Sequence, residues 1–166
     1  MNRIIRSIPP SLRHGGHYKG QHGKLLVIGG SQLYTGAPYF SGISSLKMGY
    51  ELVYLFCHPD AMIPIKSYSP ELIVCDYTDK VHLKDMIKRI DSVVIGPGLG
   101  RNYKDTAWAL SLCKKYNKPV VIDADALYLL TQETKTNLKN FITSNCILTP
   151  NLIEFARLHD TFVTDI

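Results

Sequence analysis

Short runs of Val, Ile and Leu recur along this chain and alternate with longer segments of helical period, and that alternation limits the fold more than any other feature. A run that is apolar at successive positions suits a strand buried on both faces. Such strands, separated by helices, form a parallel sheet with helices packed against it. The fold class is therefore α/β. Strands are predicted at residues 24–28, 52–56, 72–75, 92–95, 119–122 and 146–148. Helices are predicted at about 38–48, 81–89, 103–116 and 151–158, with helical character again over 126–130. Pro38 suits a first helical turn and Gly49 the exit of the same helix.

Composition agrees with one packed domain. The 166 residues are 45% hydrophobic and 20% charged, which excludes a disordered tail or a fibrous repeat. A complete domain of this length buries roughly two thirds of the surface its unfolded chain exposes, and needs neither disulfides nor a structural metal. There is no internal repeat, low-complexity tract or linker, so nothing points to two domains. Cys57, Cys75, Cys113 and Cys146 show no C-x-x-C pair and no zinc spacing, and are read as reduced thiols of an intracellular protein. No apolar stretch approaches the roughly 18 residues a spanning helix needs, so no membrane integration is expected. The opening Met-Asn-Arg-Ile-Ile-Arg-Ser-Ile is basic and acid-free like a transit peptide, but meets Pro9 and Pro10 at once. The expected address is cytoplasmic, with a mitochondrial one left open.

The net charge of +5 is uneven, because residues 1–50 hold six of the 19 Lys and Arg and none of the 14 Asp and Glu. A basic first third is a footprint for a polyanion. The cations form no dense run and no aromatics interleave with them, so nucleic acid is not the expected partner.

In a parallel α/β sheet, ligands bind beyond the C-terminal ends of the strands, where loops and helix N-termini collect. The unusual residues of this chain follow its predicted strands: Gly29-Gly30-Ser31, Gly96-Pro-Gly-Leu-Gly100, Asp123-Ala-Asp125 and Thr149-Pro-Asn-Leu-Ile-Glu154. Gly96, Gly98 and Gly100 permit a tight turn whose bare backbone approaches a phosphate or sugar, or equally a plain strand-to-helix turn. The spacing is not that of a dinucleotide fingerprint, which would follow the first strand. Asp123 and Asp125 could hold metal-bound water, accept a hydroxyl proton, or, for Asp125, cap the next helix. Asn151 and Glu154 have the spacing of a capping box, and also that of a first-turn carboxylate anchoring a Mg²⁺ water, beside free N–H groups that attract phosphate. Ser31, the six His and the four Cys show no nucleophile signature, so hydrolase chemistry is not expected. Tyr34, Tyr39 and Tyr68 are read as half-buried packing residues.

Seven segments in order carry a resemblance: Lys19-Gly-Gln-His-Gly23, Leu26-Val-Ile-Gly-Gly-Ser31, Tyr34-Thr-Gly-Ala-Pro38, Ile65-Lys-Ser-Tyr-Ser-Pro-Glu-Leu-Ile-Val74, Val94-Ile-Gly-Pro-Gly-Leu-Gly-Arg101, Val121-Ile-Asp-Ala-Asp125 and Leu148-Thr-Pro-Asn-Leu-Ile-Glu-Phe-Ala-Arg157. Together they resemble the ATP- or ADP-dependent NAD(P)H-hydrate dehydratases over about residues 19–158. The Tyr-Ser-Pro-Glu-Leu-Ile-Val segment is most similar to the eukaryotic, ATP-using branch. The resemblance implies a ribokinase-like α/β fold and repair of damaged nicotinamide cofactor. In that reaction ATP, with Mg²⁺, phosphorylates the hydroxyl of the S-epimer of NADH hydrate or NADPH hydrate, and loss of phosphate restores NADH or NADPH.

Carried across by motif, the resemblance implies substrate contacts at Ala37, at Gly96, Gly98 and Gly100, and along Asn151, Leu152, Ile153, Glu154, Phe155, Ala156 and Arg157. Asp123, Asp125 and Glu154 are its candidates for phosphate or Mg²⁺-water contacts, with no direct metal ligand. The family's late G-x-G-D turn, which supplies the base, and the nucleotide-binding segment before it have no counterpart in residues 1–166, so the catalytic residue is unknown in this sequence. Ala126 stands where the family usually has Gly. The expected organisation is a basic lead-in over 1–18, then the N-terminal part of a single ribokinase-like dehydratase domain over 19–166. The competing expectations are a catalytically inactive fragment that binds a dinucleotide-like ligand or a partner chain, and a related small-molecule kinase. ADP as the nucleotide and a homo-oligomer stay open.

Overall fold

The protein is described by a computed structural model covering residues 23–101, 103–132, 138 and 140–163. The basic lead-in and all of the Lys19-Gly-Gln-His-Gly23 segment except Gly23 lie outside the described residues. Six parallel strands, β1 (Lys24–Ile28), β2 (Leu52–Cys57), β3 (Ile73–Asp76), β4 (Ser92–Ile95), β5 (Val120–Ile122) and β6 (Cys146–Leu148), form one sheet in the order β3-β2-β1-β4-β5-β6. The helices are α1 (Gly36–Lys47), α2 (Pro59–Tyr68), α3 (Lys80–Arg89), α4 (Tyr103–Lys115), α5 (Ala124–Leu130) and α6 (Leu152–Val163). The chain winds outward from β1 to β3, returns, and continues from β4 on the other side of β1. The order therefore reverses between β1 and β4, the point at which open α/β sheets form a ligand crevice.

The pleat divides the strand residues between two cores. On one face Leu26, Ile28, Phe56, Val93, Ile95, Val120 and Ile122 pack under Leu83 and Ile87 of α3, Leu110 of α4 and Leu127 and Leu130 of α5. On the other, Leu25, Val27, Val53, Leu55 and Val74 pack under Ala61 and Ile65 of α2, with Tyr39 and Leu46 of α1 alongside. Both cores are built from near-continuous apolar strands, as the sequence requires.

All six predicted strands are present, and β3 is displaced by one residue to Ile73–Asp76. The helix α2 is not among the predicted helices, and it contains two prolines, Pro59 and Pro64. Pro59 stands at the first turn, where its missing N–H costs nothing, and His58 accepts a hydrogen bond from Asp60 N at 3.2 Å to cap the helix. The signal for it was the buried pair Ala61 and Ile65, one turn apart. The tyrosines correct an expectation. Tyr34 is 58% and Tyr68 48% exposed, and only Tyr39 is half-buried, its ring 5.2 Å from that of Tyr68. No helix among the described residues is long and apolar enough to cross a membrane.

Candidate active site at the strand ends

The reversal between β1 and β4 is tied by backbone bonds. Gly96 N donates to Ile28 O at 3.0 Å and Gly30 N donates to Pro97 O at 3.0 Å, so the loops after β1 and β4 lie against each other. Gly96 has φ +123°, and a Cβ there would overlap the carbonyl oxygen of Asp123. Its glycine is required by close packing of two loops, and its own N–H is already taken. Gly98, with φ +61°, lies beside the turn into α1, where an added Cβ would stand 2.8 Å from Tyr34 Cβ. Ala37, exposed in the first turn of α1, is on that same side of the crevice. Of the N–H groups of this loop, those of Gly96, Leu99 and Gly100 find acceptors inside the protein, whereas that of Gly98 has none among the described residues.

Beyond β5, the two aspartates do different work. Asp125 lies inside α5 rather than capping it, and its Oδ2 accepts from Gly100 N at 2.8 Å. It thereby pins the Gly-rich loop to α5. Asp123 occupies the N-cap position but makes no side-chain cap bond. Its Oδ1 accepts instead from Thr149 Oγ1 at 2.9 Å, joining the ends of β5 and β6. Ala126 is fully buried directly beneath Gly96, so the methyl that departs from the family's glycine fills core space rather than the mouth of the site.

Beyond β6, Asn151 and Glu154 form the capping box that their spacing allowed. Asn151 Oδ1 accepts from Ile153 N at 2.9 Å and Glu154 N at 3.0 Å, and Glu154 Oε2 accepts from Asn151 N at 2.8 Å. Those two first-turn N–H groups are therefore occupied, which corrects the expectation that they stand free for a phosphate. Leu152, Ile153 and Phe155 are 84%, 64% and 55% exposed, with Ala156 and Arg157 exposed beside them, whereas Leu158 is buried in the core. The helix presents an apolar, uncovered flank at the rim of the crevice.

Between α4, α5 and α6 the rim holds two adjoining cavities. One, of about 270 Å³, is lined by Gly100, Arg101, Thr106, Asp125, Tyr128 and Gln132 among others. The second, of about 120 Å³, shares Arg101, Asp125 and Tyr128 and adds Glu154 and Arg157. Arg101 lies with its guanidinium carbon 4.3 Å from the centre of the Tyr128 ring. Asp125 and the first turn of α6 thus meet around one opening, while Gly98 and Ala37 face the other side of the β4 loop. Arg101, Thr106, Tyr128 and Thr149 were not picked out as site residues from the sequence. Arg101 directly follows the glycine motif, which is a signal. Thr149 opens the segment after the last strand, and Thr106 and Tyr128 are ordinary helix residues until the fold brings them to the site.

No group of three or more His, Cys, Asp or Glu side chains among the described residues is placed to hold a metal ion. Asp123, Asp125 and Glu154 each accept a hydrogen bond within the protein, the two aspartates at the start of α5 and Glu154 in the first turn of α6. The described residues therefore do not form a metal cage of their own.

Residues 25–165 match the family model described as NAD(P)H-hydrate dehydratase. The chain belongs to the NAD(P)H-hydrate dehydratase family. A curated relative from Drosophila melanogaster, named ATP-dependent (S)-NAD(P)H-hydrate dehydratase, is 48% identical over 93% of this chain and 53% of its own length. The Homo sapiens protein of that name is 42% identical over 95% of this chain and 46% of its own length. The chain thus spans about half the length of the curated relatives it matches.

Among solved structures, a ribokinase-like superfamily protein from Enterococcus faecalis superposes with TM-score 0.76 at 24% identity, covering 95% of this chain and 59% of that one. An ADP/ATP-dependent NAD(P)H-hydrate dehydratase from Bacillus subtilis, co-crystallised with ATP/Mg²⁺, superposes with TM-score 0.65 at 22% identity, covering 95% of this chain and 50% of that one. The fold of this dehydratase-family chain is ribokinase-like α/β, as the motif order implied.

Proposed function

We propose that the protein takes part in ATP-dependent repair of the S-epimer of NADH hydrate or NADPH hydrate, and that residues 19–166 supply the substrate-side loops of a single dehydratase domain. The observation that carries this reading is the convergence of the family's own segments. Thr-Gly-Ala-Pro, the Gly-rich loop, Asp-Ala-Asp and Thr-Pro-Asn-Leu-Ile-Glu stand at the ends of adjacent parallel strands, cross-linked by the Gly30–Pro97, Gly100–Asp125 and Asp123–Thr149 bonds.

The chemistry asks for little covalent work from the protein. The hydrate hydroxyl attacks the terminal phosphorus of ATP, loses its proton, and ADP leaves. The new C–O–phosphate bond then breaks, inorganic phosphate departs, and loss of a proton from the neighbouring carbon restores the dihydronicotinamide double bond. Phosphorylation replaces a poor leaving group by a good one, so catalysis is chiefly positioning and charge stabilisation. In this reading, the pinned loops after β1 and β4 hold the ring-bearing end of the substrate near Gly98 and Ala37. The first turn of α6 borders the opening on the other side of the β4 loop, where the remainder of the substrate would lie. Asp123 is the carboxylate nearest the β5–β6 junction and, of the two aspartates, is assigned the larger role toward the phosphoryl group. The residues described make no metal cage, so Mg²⁺ is assigned no step here; if it takes part, it arrives with the nucleotide.

The test is calorimetry of the chain with NADPH, with the Gly98→Val variant alongside. The unsubstituted chain should bind and the valine variant, forced against Tyr34, should lose at least tenfold in affinity; no heat with the unsubstituted chain at millimolar NADPH sinks the proposal. Incubation with hydrated NADPH, ATP and Mg²⁺ then asks whether residues 1–166 contain the catalytic base. With the family's G-x-G-D turn absent from them, binding without return of dihydronicotinamide absorbance is expected, and turnover would place the base inside this chain.

A further inference from the structure

Arg101 is a charged residue of the site to which the motif reading gives no task. It is exposed, yet not loose. Its backbone follows Gly100, whose N–H is fixed to Asp125, and its guanidinium lies over the Tyr128 ring at 4.3 Å. Arg101 forms no ion pair with a carboxylate among the described residues. An aromatic ring under a guanidinium occupies one face of the plane and leaves the N–H edges directed outward, where they suit the oxygens of a phosphate in a two-bond fork. Arg101 lines both cavities, of about 270 and 120 Å³, so those edges border the space a ligand would enter.

The helix end beside it does not compete for that role. At most helix N-termini the free N–H groups attract phosphate. Here Asn151 Oδ1 already holds those of Ile153 and Glu154, which leaves a larger share of any anion recognition between α5 and α6 to side chains. Asp125 lines the same cavities and would repel an anion placed against it, but one of its oxygens is engaged with Gly100, and the other can accept from a sugar hydroxyl.

Resting on the reading given under Proposed function, we infer that Arg101, held by Tyr128, is the phosphate-recognition residue of the crevice and that the paired cavities take the phosphoribosyl part of a nucleotide. Tyr128 is a positioning residue in this arrangement: it sets the guanidinium and touches no phosphate itself. The phosphate can belong to the 2′-position of NADPH, to the pyrophosphate shared by NADH and NADPH, or to ATP.

Titrations of the full chain with NADPH, NADH and ATP, each repeated with Arg101→Ala, Arg101→Lys and Tyr128→Leu, distinguish these sources. Arg101→Ala should weaken at least one ligand about tenfold or more and flatten the salt dependence of its binding, with Arg101→Lys recovering part of the loss. Loss confined to NADPH assigns the 2′-phosphate, equal loss for NADH and NADPH assigns the pyrophosphate, and loss confined to ATP assigns the nucleotide co-substrate. Tyr128→Leu should weaken the same ligand less, and add little when combined with Arg101→Ala, because both act through one contact. Urea midpoints measured on every variant separate a folding defect from a binding one. If Arg101→Ala binds all three ligands as the unsubstituted chain does, the inference fails while the proposed function stands. If the unsubstituted chain binds none of them, both fail.

Discussion

The β1-β2-β3 half of the sheet and the β4-β5-β6 half are built from equally apolar strands, yet they are covered differently. In the first half Val27, Val53 and Leu55 are fully buried beneath helices, with Ile73 exposed at the edge strand β3. In the second, Val93, Ile95, Val120 and Ile122 are buried under α3, α4 and α5, while Val94, Val121 and Ile147 of the opposite face line an open groove of about 310 Å³ with Tyr50 and Asn145. Val120 and Val121 are the same residue type in the same strand, one 4% exposed and the other part-exposed. The difference teaches that strand hydrophobicity records a potential for burial on both faces, and that neighbours decide which face is used. On that face α1 and α2 pack over β1, β2 and β3, while Val94 of β4 joins that core only in part and Ser45 of α1 lines the groove.

The largest effect tests the seam between the halves. Gly96→Ala should cost on the order of 4 kcal/mol or prevent folding, because its Cβ would collide with the Asp123 carbonyl at a left-handed position, and a near-wild-type urea midpoint would show that the seam gives way freely. Within the covered half, Leu55→Ala should cost about 3 kcal/mol in urea unfolding, the usual loss for a fully buried leucine.

Thiol titration sharpens the comparison by face rather than by half. Burial first, aided by the charge of Asp76, pushes the Cys57 thiol up from 9.0 to about 12, and burial does the same to Cys113 in α4. An unfolded thiol ionises near 9 and the folded ones near 12, so the folded state holds these protons more tightly. Their stabilising contribution is complete below pH 9 and is lost as pH rises from 9 toward 12. Cys57→Ala and Cys113→Ala should each flatten the fall of the urea midpoint over that window by a similar amount. Unequal effects would mean that the dry face of the β4-β5-β6 half is less sealed than the structure shows.

Asn151→Ala should cost about 1 kcal/mol by removing the cap of α6. The smallest effect belongs to the open face, where Val121→Ala should cost less than about 1 kcal/mol because little of its transfer energy is realised. A loss at Val121 equal to that at Leu55 would break the comparison.

The sequence by itself determined the parallel α/β plan, because apolar runs and helical periods are local patterns that solvent and backbone geometry read in the same way in any context. It also offered the α6 cap as one of two readings, since Asn151 and Glu154 are three residues apart and their bonds need no other element. Even α2 has a local signature, with Pro59 as helix opener and Ala61 and Ile65 one turn apart. The tertiary structure alone decided that Asp125 binds the Gly100 amide 25 residues away rather than capping α5, that Asp123 pairs with Thr149, and that Tyr128 carries Arg101. It also decided that Val121 stays part-exposed. These outcomes join residues on different strands and helices, so they depend on sheet order and on which face a helix covers. Neither of those is encoded in the spacing of nearby residues.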